Sequence, residues 1–200
     1  MPDFIRARAP AALLLAALCA LPAAPVRAAD VPLAADGTWR AFAVDALLAP
    51  VASPLAWIDD AGEPLGFAFS IAAGSSGVLT VVDAAIAGDT FAVRSGGTLL
   101  GNTSAVAAGV FGSAADVGLG YDAAFADPAF SRASFMLGAG SYRVSGSLLQ
   151  SVTLGGARLD ATAGALRLVT LAAPVPEPAA FALLLAGLGL VGAVVQRRRA

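Results

Sequence analysis

Three acids fall within five residues at Asp59, Asp60 and Glu63, around Gly62 and just after Trp57. A pair of carboxylates flanking a cleft, one with a raised pKa, is the apparatus of glycoside hydrolysis. Acids beside an aromatic ring also suit sugar binding. The same Asp-Asp-Ala-Gly-Glu-Pro string has the make-up of an ordinary solvated turn, which is the simpler expectation. Five further aspartates, Asp83, Asp89, Asp116, Asp122 and Asp127, fall in or near predicted loops. Oxygen ligands of that kind hold calcium, but neither EF-hand spacing nor a calcium-binding nonapeptide repeat is present. No residue is therefore assigned as a metal ligand. Trp39, Trp57, Tyr121 and Tyr142 would make a carbohydrate platform if several shared one exposed face, and otherwise fill a core short of large side chains.

The residues that are missing narrow the chemistry further. The chain has no histidine and no lysine, and its one cysteine, Cys19, lies in an N-terminal apolar run. A Ser-His-Asp or Cys-His arrangement and a His-ligated zinc site are thereby ruled out beyond that run. There is no Walker A loop and no cofactor motif. No catalytic residue is assigned, and the expectation is a protein that is not an enzyme. Between Ala29 and Pro174 six arginines face twelve acids, a balance of about −6 that repels phosphate backbones and argues against nucleic acid as a partner.

The elements that would carry these residues read as short strands. Leu65–Ile71 alternates its large apolar side chains, as do Gly77–Asp83 and Thr90–Arg94. Ser95-Gly96-Gly97 before Thr98-Leu99-Leu100 is a hairpin signal. Ser134–Leu137, a Gly138-Ala139-Gly140 turn and Ser141–Val144 read as a second hairpin, with the latter strand continuing through Ser145–Val152. Thr38–Val44 suits an opening strand and Leu166 and Leu168 a closing one, while 43–48 and 121–130 suit a short helix or a long loop. Eight or nine short strands with glycine turns predict an all-β fold, an antiparallel β-sandwich or jelly-roll-like domain.

Both ends differ from this middle. Arg6 and Arg8 precede the apolar run Ala11–Leu21, which is too short to span a bilayer, and Val26-Arg27-Ala28 offers residues of suitable size at −3 and −1. That is a signal peptide, residues 1–28, with cleavage after Ala28. At the far end Pro174-Val175-Pro176-Glu177-Pro178 leads into residues 179–195 without a charge, then Gln196-Arg197-Arg198-Arg199-Ala200. The prolines predict an extended segment. The apolar stretch predicts a transmembrane helix at the short limit, about 25 Å at ~1.5 Å per residue. The three arginines predict a cytoplasmic stop.

Val175-Pro176-Glu177-Pro178-Ala179, the Leu/Gly/Ala stretch Phe181–Val195 and Arg197-Arg198-Arg199 resemble the PEP-CTERM sorting signal of Gram-negative bacteria. The resemblance covers the tail alone, residues 174–200. It implies that Pro176, Glu177 and Pro178 are the sorting motif, recognised by an exosortase, an integral membrane enzyme resembling a cysteine protease. It also implies transient anchoring in the inner membrane, then delivery to the cell surface or extracellular matrix, often in exopolysaccharide producers. The exported domain is expected at 29–173. Two functions are open for it: a non-enzymatic surface or matrix protein, or a carbohydrate-binding module, with or without calcium, associated with polysaccharide.

Overall fold

The computed structural model describes residues 29–48, 54–172 and 178–198. In chain order the elements are β1 Ala29–Pro32, β2 Arg40–Asp45, β3 Leu65–Ile71, β4 Ser75–Ile86, β5 Thr90–Ser95, β6 Thr98–Asn102 and β7 Asp116–Gly118. Then come α1 Tyr121–Ala126, β8 Arg132–Leu137, β9 Gly140–Gln150, β10 Thr153–Leu154, β11 Ala157–Arg158, β12 Ala161–Ala172 and α2 Pro178–Arg197.

Two sheets account for most of them. The first runs β1-β3-β9-β5-β6; the second runs β2-β12-β4, with β7 and β8 both pairing along the remaining edge of β4. Among the described residues the strand pairings within these two sheets are antiparallel except β1 with β3. The sheets face each other because alternate residues on both are large and apolar. Phe67, Phe69, Phe91, Val93 and Val144 from one sheet meet Phe42, Val44, Leu79, Val81, Leu166 and Leu168 from the other in a single buried cluster. The fold is all-β, a sandwich, as the alternation predicts.

A pair of aromatic rings fills the middle. Trp57 and Phe42 stack with ring centroids 3.9 Å apart, and Trp57 is completely buried. Gly146 of β9 lies against the Trp57 ring and Gly164 of β12 lies against Phe42, so the stack is held between one glycine from each sheet. A Cβ on Gly146 would overlap the indole and approach the Ala92 carbonyl oxygen to 2.8 Å. A Cβ on Gly164 would overlap the phenyl ring and come within 2.9 Å of the Val82 carbonyl oxygen. Two sheets whose inner faces stand about 10 Å apart have room for large flat side chains only where the facing backbone carries none.

The outer face of the second sheet carries a smaller core. Val82 and Ala165 pack there against Ala87, Ala124 of α1 and Phe130, with Trp39, Val117, Tyr121 and Phe125 at its border. This cover explains why β4, unlike the half-buried strands, is buried on both faces along its centre.

One expected pairing is wrong. Ser134–Leu137 and Ser141–Val144 do not form a hairpin: β8 pairs with β4 in the second sheet, while β9 pairs with β3 and β5 in the first. The Gly138-Ala139 turn carries the chain across the sandwich. Alternation marks both strands, but a glycine turn closes a hairpin and an arch between sheets equally well. The Gly96-Gly97 hairpin is present as expected, joining β5 to β6. Residues 43–48 hold the end of β2 and a turn, and 121–130 hold α1. At the C-terminus α2 starts at Pro178, a position where proline's missing N–H costs nothing. Among the described residues no helix is long and apolar enough to cross a membrane. The apolar stretch 179–195 is seventeen residues, about 25 Å at ~1.5 Å per residue against the ~30 Å of a bilayer core.

Candidate functional site

The acidic turn resolves into separate roles. Asp59 Oδ1 accepts the backbone N–H groups of Ala61 (2.9 Å) and Glu63 (3.0 Å), and so closes its own turn. Trp57 is not beside it as a platform, because the indole is in the core. Asp60 points to a different use. It lines a cleft of about 300 Å³ at the sandwich edge, where β1 and β3 of one sheet approach β2 of the other. Phe42, Ile58, Leu65 and Phe67 form the apolar floor, and Arg40, Asp59, Asp60 and Tyr121 supply the polar groups.

Tyr121 reaches the cleft because α1 is clamped to the outer face of the second sheet. Trp39 Nε1 donates to Asp122 Oδ1 at 2.9 Å. The guanidinium of Arg167 lies 4.3 Å above the Trp39 ring and 5.3 Å from that of Phe125, and its Nη1 is 3.4 Å from Asp122. Trp39 in turn contacts Tyr121 and Phe125 with ring centroids 6.2 and 6.1 Å apart. Partial burial, and secondarily the Asp60 carboxylate, raise the Tyr121 phenol above its ordinary pKa, so it is a neutral hydroxyl at physiological pH.

The remaining candidate residues do not converge. Tyr142 stacks on Phe69 at 5.3 Å and donates to the Gly138 carbonyl, away from the other aromatics. Asp116 and Asp127 accept backbone N–H groups two residues on, from Gly118 and Ala129. Asp83 and Asp89 are buried together. Asp83 Oδ2 accepts from the N–H groups of Gly88 (3.3 Å) and Asp89 (3.2 Å), and Asp89 Oδ1 accepts from Val152 at 2.7 Å. Asp83 Oδ1 is buried without a partner. Desolvation, reinforced by the neighbouring Asp89, raises the Asp83 pKa from 3.8 to about 8. Among the described residues no group of three or more His, Cys, Asp or Glu could hold a metal ion. Val26 and Ala28, expected at a signal-cleavage site, the motif residues Pro176 and Glu177, and Arg199 lie outside the described residues; Pro178, Arg197 and Arg198 lie on or at the end of α2.

Arg40 is absent from the candidates the sequence offers, whereas Tyr121 is among them only as one of the four aromatics of a carbohydrate platform. Arg40 carries no local signal. Tyr121 is drawn to Asp60 only through the packing of Trp39, Phe125 and Arg167.

The fold and the tail define an all-β sandwich domain followed by a short C-terminal signal segment. Residues 174–199 match the PEP-CTERM protein-sorting motif, so the chain carries an exosortase sorting signal confined to its tail. Such a signal implies export to the surface or extracellular space. The pre-peptidase C-terminal domain of collagenase from Bacillus anthracis, a crystal structure, aligns over 72% of this chain and 97% of that one. Its identity is 11% and its TM-score 0.37, and at that similarity it brings no residue or activity across. No curated protein matches the chain.

Proposed function

We propose that residues 29–173 are a non-enzymatic surface or extracellular-matrix domain. It is made with residues 1–28 as a signal peptide, held at the inner membrane through 179–195 and Arg197–Arg199, and released when an exosortase acts at Pro176-Glu177-Pro178. The observation that carries this reading is the sorting motif at 174–199. The poverty of catalytic groups supports it: histidine is absent, and cysteine is confined to the leader. Replacing Pro176 and Pro178 by alanine would let the helix extend and hide the scissile backbone in helical hydrogen bonds. Replacing Arg197–Arg199 by glutamine would weaken the orientation signal. Both variants should accumulate as membrane-bound precursor. The measurement is the precursor-to-processed ratio on a blot, with the exosortase gene present and deleted. If the proline variant is processed as fast as the parent, or the parent is processed without the enzyme, the sorting reading fails. A broad hydrolase screen tests the non-enzymatic part.

The cleft favours a second reading for the same domain, a carbohydrate-binding module attached to the producer's own polysaccharide. Its support is the convergence of an arginine, two carboxylates and a phenol over an apolar floor, the composition expected of a small-molecule site. A glycan array with and without EDTA tests it.

A further inference from the structure

We infer that the edge cleft is a subsite for one neutral hexopyranose unit of a polysaccharide, with Arg40, Asp60 and Tyr121 as its polar contacts. The inference rests on the carbohydrate-binding reading and names the site and ligand class for it.

Three observations converge. First, Arg40, Asp60 and Tyr121 line the cleft, and their side-chain polar groups have no hydrogen-bond partner among the described residues. A guanidinium offers only donors and an ionised carboxylate only acceptors, while a phenol offers both. Vicinal sugar hydroxyls are at once donors and acceptors, so they complement that mixture, whereas a purely anionic or purely cationic group satisfies only part of it. Second, the floor is Phe42, Ile58, Leu65 and Phe67, with Leu119 on the rim. A pyranose presents C–H faces to such a surface while its hydroxyls point outward, and the Tyr121 ring adds an aromatic side. Third, the charge of the lip is one arginine against two aspartates, Asp59 and Asp60. That balance repels a uronate carboxylate and leaves a neutral sugar as the fitting unit.

The volume, about 300 Å³, is at the small end of ligand sites, which suits a single sugar ring held within a longer chain. Trp39, Asp122 and Arg167 do not line the cleft. They are positioning residues that fix α1 and with it Tyr121.

The test uses the full-length chain in a detergent without a sugar headgroup. Cello-oligosaccharides, dextran and alginate serve as probes, and binding is followed by calorimetry and by tryptophan fluorescence. Trp39 is close to Tyr121 and partly exposed, whereas Trp57 is sealed in the core, so a ligand-linked emission change reports on the cleft. The parent should bind at least one neutral glucan and not alginate. Asp60→Asn, Arg40→Gln and Tyr121→Phe should each weaken that binding about ten- to a hundredfold, the loss typical of one hydrogen bond to a charged group or its partner. All three positions are exposed or half-buried, so circular dichroism and the urea midpoint should match the parent. If a neutral glucan binds but the three variants bind it equally well, the cleft assignment is overturned while the carbohydrate reading stands. If no glucan binds, or alginate binds best, both the site and its ligand class are overturned.

Discussion

Substituting Asp83→Asn should make the domain more stable at pH 8 and less stable at pH 4. The Asp83 carboxyl is buried and holds its proton up to about pH 8, against 3.8 for an ordinary aspartate. The folded state therefore binds this proton more tightly than the unfolded chain does. The stabilisation tied to the proton is fully present below pH 3.8 and is lost as pH rises through about 8. Over that window of roughly four pH units, at ~1.4 kcal/mol each, the limit is about 5–6 kcal/mol. An asparagine does not titrate, and its amide oxygen can still accept from the Gly88 and Asp89 N–H groups. Its amide nitrogen replaces Oδ1, which has no partner, and an unsatisfied buried polar group costs about 1–3 kcal/mol. The net expectation is a gain of about 3 kcal/mol at pH 8 and a loss of about 1–3 kcal/mol at pH 4, by the same principles. Urea unfolding of parent and variant at pH 4, 6 and 8 measures it. Parallel stability profiles, or a variant weaker than the parent at pH 8, would refute the assignment of the buried proton to Asp83.

Further outcomes follow from the packing and the two ends. Gly146→Ala and Gly164→Ala each press a methyl group into the Trp57–Phe42 stack, and thermal melts should show a loss of about 1–3 kcal/mol or more for either. Asp122→Ala removes the acceptor of Trp39 Nε1 and the partner of Arg167 at an exposed position. It should cost about 1 kcal/mol or less while shifting Trp39 emission to longer wavelength. N-terminal sequencing of exported protein should begin at Ala29 or Asp30, and an intact Met1 on extracellular material would defeat the signal-peptide assignment.

Several features were legible because they depend on neighbours along the chain. Alternation places apolar side chains on one face of Leu65–Ile71, and β3 has those bounds. The Gly96-Gly97 turn closes its hairpin because both glycines accept left-handed φ, +55° and +86°. The proline, apolar and arginine blocks of the tail act as consecutive segments, so their order alone carried the resemblance that the match at 174–199 bears out. Other features depend on which strands meet, and alternation is silent on that. β8 and β9 have the same pattern whether they pair with each other or with strands from different sheets. Trp57 reads as a companion to the acids of its loop, yet it lies in the core because Gly146 and Gly164, 89 and 107 positions further on, leave space for its ring and that of Phe42. Asp83 reads as a loop acid at the end of a strand. Its burial comes from β4 running on to Ile86 and from the chain then turning back over the carboxyl, so that the N–H groups of Gly88 and Asp89 meet its Oδ2. The cleft likewise depends on long-range packing. Arg40, Asp60 and Tyr121 come from three separate stretches, and only the edge contact of the two sheets and the clamp on α1 bring them together.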